Sequence, residues 1–64
     1  MHEGTVKFFN ESKGFGFIND VETGKDVFVH MSGLIDNIRE NDQVSFETEN
    51  SPKGLSAVKV RQVR

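Results

Sequence analysis

Two short segments place aromatic and aliphatic residues on alternate positions, and that alternation leaves this chain little choice of fold. In Lys13-Gly14-Phe15-Gly16-Phe17-Ile18, an extended backbone puts Phe15 and Phe17 on one face and Ile18 on the other. Asp26-Val27-Phe28-Val29-His30 repeats the arrangement, with Val27 and Val29 on one side and Phe28 and His30 opposite. A chain of 64 residues has one core, and the aliphatic side already fills it. The opposing reading is a two-sided core, since phenylalanine is among the residue types most often buried. Burying both faces would need a second layer, for which the remaining sequence supplies little apolar material. Phe15, Phe17, Phe28 and His30 are therefore expected on display, and a displayed aromatic row is a platform on which nucleic-acid bases can stack.

The rest of the chain reads as short strands divided by turn formers, with no stretch periodic enough for an amphipathic helix of three turns. Strands are expected over about 3 to 10, 15 to 20, 26 to 30, 43 to 49 and 55 to 63. Asn10-Glu11-Ser12, Glu22-Thr23-Gly24-Lys25 and Ser51-Pro52-Lys53-Gly54 supply turns. Phe8 and Phe9 point oppositely unless a bulge intervenes, which leaves Phe9 either at the platform edge or in the barrel mouth. Met31-Ser32-Gly33-Leu34-Ile35 suits a short helical turn, and Leu34, Ile35 and Ile38 are expected to plug the barrel end. Val44 and Phe46 belong with the core; so do Ala57, Val58 and Val60, with Lys59 and Arg61 opposite. Five strands around one small core predict an all-β barrel, a single domain over 1–64.

Net charge is −2, with eight Lys and Arg against ten Asp and Glu, which counts against a generic basic binder of nucleic acid. Placement matters more than the total. Lys7 and Lys13 fall beside the aromatic row, whereas Glu22 sits in a turn and Asp36, Glu40, Asp42, Glu47 and Glu49 lie in the second half. A segregated surface with a small basic patch is the expectation, set against a mixed, solvated one. The chain has no cysteine, so disulfides and thiolate metal sites are excluded, and no metal or cofactor is expected. No apolar run approaches the roughly 20 residues of a membrane span, and the start of the chain lacks the apolar stretch of a secretion signal. A cytoplasmic, soluble monomer is expected.

Gly4-Thr5-Val6-Lys7-Phe8-Phe9-Asn10, Lys13 to Ile18, and Asp26 to His30, in that order and spacing, resemble the bacterial cold-shock proteins. The resemblance runs from Glu3 to about Val60 and is densest through His30. It implies a five-stranded antiparallel OB-fold barrel that binds single-stranded RNA and DNA and acts as an RNA chaperone by opposing self-pairing. In that family the segment Lys13 to Ile18 is the first ribonucleoprotein motif, and Val27 to His30 corresponds to the second. Carried across, the implied nucleic-acid contacts are Lys7, Phe8, Lys13, Phe15, Phe17, Asp26, Phe28 and His30. The chain departs from the family pattern in three ways. Phe8 stands where the family usually has Trp, Met31 stands where it usually has Phe, and the connection from His30 to Val44 is shorter and lacks an aromatic often found there. Reduced stacking area and a smaller site are what these departures imply.

On this reading, bases stack on Phe8, Phe15, Phe17, Phe28 and His30, each contributing about 1 to 3 kcal/mol with weak sequence preference. Lys7 and Lys13 pair with phosphates, and about two to four such contacts give a shallow salt slope of roughly −0.7 per contact. Asp26 cannot attract phosphate, so it accepts from base amino groups or serves a nearby turn amide. Gly14 and Gly16 either leave the rings unobstructed and allow close backbone approach or meet turn and bulge requirements. Three rivals compete with this reading. An RNA-recognition domain shares the Lys13 to Phe17 pattern but needs two helices that no segment supplies. A barrel gripping a peptide with its aromatic face fits the composition. An enzyme fits poorly, because His30 has no evident nucleophile partner and Gly-Phe-Gly is too short for a phosphate loop.

Overall fold

The computed structural model describes residues 2–52 and 54–63. Five strands form: β1 (His2–Asn10), β2 (Phe15–Asp20), β3 (Asp26–His30), β4 (Gln43–Ser51) and β5 (Gly54–Gln62), with a 3-10 turn at Met31–Gly33 between β3 and β4. They close into a barrel in the order β1-β2-β3-β5-β4, and β4 returns to β1. All neighbours pair antiparallel except β3 and β5, which meet in parallel at Phe28↔Ser56 and Val29↔Ala57. Among the described residues the 3-10 turn is the only helical element, which removes the two-helix RNA-recognition rival. No helix there is long and apolar enough to cross a membrane.

Local chemistry explains the ends of the elements. Gly14 takes φ 75°, a left-handed turn conformation that glycine adopts without steric cost, and its amide donates to the Asn10 carbonyl at 2.7 Å. The Asn10 side chain accepts from the Lys13 amide at 3.1 Å, so Asn10 closes the first turn from both backbone and side chain. Of the expected 51–54 turn, Lys53 lies outside the described residues. On either side of it Ser51 pairs with Gly54, and Ser51 Oγ donates to the Gly54 carbonyl at 2.7 Å.

The core takes Val6, Ile18, Val27, Val29, Val44, Phe46, Ala57 and Val60 from the five strands and Ile38 from the connection; Phe9 and Leu34 pack against it half-buried. Two irregularities decide which residues enter. Between Val6 and Phe8 the register of β1 against β2 shifts by one residue at Lys7, a bulge that turns Lys7 and Phe8 both outward and sends Phe9 to the core side. Opposite Phe46, between Ser45 and Glu47, β5 carries an extra residue where Lys59 adopts φ 52°. Ala57 and Val60, three apart, can then both point inward, which strict alternation forbids. Val58 is therefore only half-buried, a correction to the expectation that it lies inside. Ile35 does not plug the barrel end either: it is 53% exposed, because this segment docks by backbone, its amide and that of Asp36 both donating to the Val60 carbonyl.

Candidate nucleic-acid interface

The pairing register builds the platform. Phe17, at the centre of β2, has Phe8 of β1 as its cross-strand partner on one side and Phe28 of β3 on the other; Phe15 pairs with His30. These are same-face neighbours of adjacent strands, close enough for ring contact. Phe8 stacks on Phe17 at 5.6 Å between centroids and 19° between planes, and Phe15 stacks on Phe28 at 6.0 Å and 24°. The other two contacts are edge-on: Phe8 to Phe15 at 6.4 Å and Phe17 to Phe28 at 5.9 Å. Four rings thus alternate between the two arrangements aromatic pairs prefer. None of the four belongs to the core; Phe8 is 38% exposed, and Phe15, Phe17 and Phe28 are half-buried, each ring covering part of its neighbour. The bulge at Lys7 is what puts Phe8 here, since unbroken alternation from Val6 would turn it into the barrel.

Gly16 faces the interior, buried. A Cβ there would lie 2.3 Å from the Phe8 carbonyl oxygen and 2.8 Å from the Phe9 Cα, so β1 can approach β2 at the aromatic rows only because this position has no side chain. The space Gly16 supplies is therefore on the side of the neighbouring strand, and Gly14 answers to the turn. Gly14 thus meets a turn requirement, whereas Gly16 allows the close backbone approach that the other reading of these glycines expects.

Charge is arranged around the rings. Lys13, Phe15, Phe17, Phe28 and His30 line an open depression of about 530 Å³, and Lys7, Phe8, Phe17 and Asp26 line a second of about 360 Å³ beside it. Lys13 has no ion-pair partner among the described residues. Lys7 does: its Nζ donates to Asp26 Oδ2 at 3.0 Å. Asn19 Nδ2 donates to Asp26 Oδ1 at 3.2 Å and also to the Gly24 carbonyl. Asp26 therefore serves a side-chain amide and a lysine, not a turn amide. The hydrogen bond from Lys7, then that from Asn19, hold its carboxyl below the ordinary 3.8, against a small opposing desolvation. Of the two lysines expected beside the rings, one is free and one is already engaged. Glu47 and Glu49 lie on β4, which does not neighbour β2 in the ring.

His30, exposed at the end of β3, is held by the residue two further on: Ser32 N–H donates to Nδ1 at 3.1 Å, and Ser32 Oγ lies 2.9 Å from the same nitrogen. Ser32 is not among the site residues expected from the sequence. The signal available was a polar residue inside the first turn after a strand, where side chains of the preceding residue cap free amides.

The whole chain compares closely with known proteins. A family model described as the 'Cold-shock' DNA-binding domain matches residues 2–63. The major cold shock protein of Micrococcus luteus is 50% identical over 64 residues, covering 94% of this chain and 96% of its own length. Cold shock-like protein CspA of Stigmatella aurantiaca is 48% identical, covering 98% of each, and cold shock-like protein CspE of Escherichia coli is 50% identical, covering 91% and 90%. Among solved structures, drosophila Unr CSD456 superposes with a TM-score of 0.82 at 29% identity over 98% of this chain, which spans 26% of that longer chain.

Proposed function

This chain belongs to the cold-shock domain family of non-enzymatic nucleic-acid-binding domains, and we propose that its aromatic face takes single-stranded RNA and DNA by stacking unpaired bases on Phe8, Phe15, Phe17, Phe28 and the His30 ring. The observation that carries the proposal is the network of four phenylalanines in mutual contact at 5.6 to 6.4 Å on the outer face of three adjacent strands, clear of the core. A duplex hides its base faces within its own stack, so only an unpaired strand can use such a surface. Binding that rewards the open strand alone shifts a hairpin toward its unfolded form, which is RNA chaperone activity without turnover.

Lys13 supplies the phosphate contact, while Lys7 enters only as far as it leaves Asp26. The salt dependence is then that of about one or two contacts, roughly −0.7 each, and stacking dominates affinity. Asp26 is left to accept from base amino groups at the edge of Phe17. All the platform residues come from one chain, so we assign the activity to a monomer. We place it in the cytoplasm, a reducing compartment suited to a cysteine-free domain.

A peptide ligand is the second reading, and the closed barrel weighs against it. With β4 returning to β1 the sheet offers no long free edge for an added strand, the commonest way a sheet grips an extended peptide. Anisotropy of labelled oligothymidine competed with unlabelled single strands and with a duplex of equal length tests the proposal. Displacement by single strands with at least tenfold weaker displacement by duplex is expected; equal displacement by both contradicts it.

A further inference from the structure

We propose that Ser32 is a positioning residue of the platform: its amide and hydroxyl hold the His30 ring in the Nε2–H form, so that His30 meets a bound strand as a neutral hydrogen-bond donor in a fixed orientation. The functional half of this rests on the single-strand reading above; the tautomer does not.

His30 caps the 3-10 turn Met31–Gly33 through its own ring, Nδ1 accepting from the Ser32 amide at 3.1 Å. A backbone N–H can only donate, so Nδ1 carries a lone pair and no proton. A neutral imidazole has a single N–H, which therefore sits on Nε2. The Ser32 hydroxyl, 2.9 Å from Nδ1, could by itself donate or accept; with the amide fixing the direction, it donates as well, sharing the one lone pair in a three-centre bond. A ring with a proton on Nδ1 would keep the hydroxyl and turn that proton against the amide.

Two bonds to one nitrogen restrict rotation of a ring that is otherwise exposed. The turn they belong to is itself tied to the platform, since the Met31 amide donates to the Gly14 carbonyl at 2.8 Å, one residue before Phe15. Nε2 has no protein partner among the described residues, and the ring lines the same depression as Lys13, Phe15, Phe17 and Phe28. The ring that carries the donor thus borders the depression in which the single-strand reading places the bases.

Long-range proton–nitrogen NMR of the free, labelled protein at neutral pH reads both ring nitrogens directly. The expected result is an unprotonated Nδ1 and a protonated Nε2, in wild type and in Ser32→Ala, which retains the amide. Anisotropy on oligothymidine then reads the positioning: Ser32→Ala loses the second bond and weakens binding by about two- to tenfold, the size of one hydrogen bond, and Ser32→Thr restores it. A protonated Nδ1 in wild type, or wild-type affinity in Ser32→Ala, overturns the proposal. The nitrogen shifts need no nucleic acid, so a wild type that fails to bind oligothymidine defeats the single-strand reading without touching the tautomer result.

Discussion

The ion pair between Lys7 and Asp26, 3.0 Å long, sets how much positive charge the site can offer a phosphate. Asp26→Asn removes the carboxylate that holds Lys7 and is expected to steepen the salt slope of single-strand binding by about 0.7, one further phosphate contact, read from Kd between low and moderate salt. The same pair gives the fold an acid-sensitive increment. Because the folded carboxyl titrates below 3.8, its stabilisation is complete above the unfolded value and is lost as pH falls below 3.8 through the folded one. Asp26→Asn has no such increment to lose. That Phe15, Phe17, Phe28 and His30 share the face opposite the core was legible from their alternation, since a period of two assigns faces without knowledge of the partner strand. The engagement of Lys7 was not, because 19 positions separate it from Asp26 and only the sheet register brings them together.

At the scale of elements, β2 and β3 could be read to the residue because their alternation is unbroken and glycine-bearing turns flank them. β1 and β5 could not, because each carries a bulge that barrel closure imposes and local sequence does not announce. The expectation that Val58 lies inside fails for that reason, since it treats Lys59 as an ordinary strand residue. Lys59 instead holds φ 52°, a region that costs a side-chain-bearing residue about 1 to 2 kcal/mol, partly offset in glycine by about 0.5 to 1 kcal/mol of backbone entropy. Lys59→Gly is expected to raise stability by a few tenths to about 1 kcal/mol, seen as a higher urea midpoint at unchanged slope. The loosened partner, Glu47 at 3.9 Å, is an exposed contact of little consequence.

Taken whole, the molecule is a small barrel with one filled side and one working side. Phe46, fully buried where the bulged β5 crosses β4, is the largest side chain of the filled side. Truncation to Ala costs about 3 to 5 kcal/mol, as much as a domain of this size holds in total, so Phe46→Ala should be unfolded at 25 °C by circular dichroism. The barrel itself was legible from five strand segments on one core; the parallel closure of β3 on β5 was not, since two residue pairs leave no pattern in either strand. On the working side, the proposal requires that Phe15 and Phe17 bind bases and do not hold the fold. Fluorescence anisotropy of a labelled single-stranded oligonucleotide against wild type and a Phe15→Ala/Phe17→Ala variant confirmed folded by its dichroism decides this. At about 1 to 3 kcal/mol for each stacked base, binding by the variant should fall at least about thirtyfold; a folded variant that binds as tightly as wild type would leave the aromatic face without a role in binding.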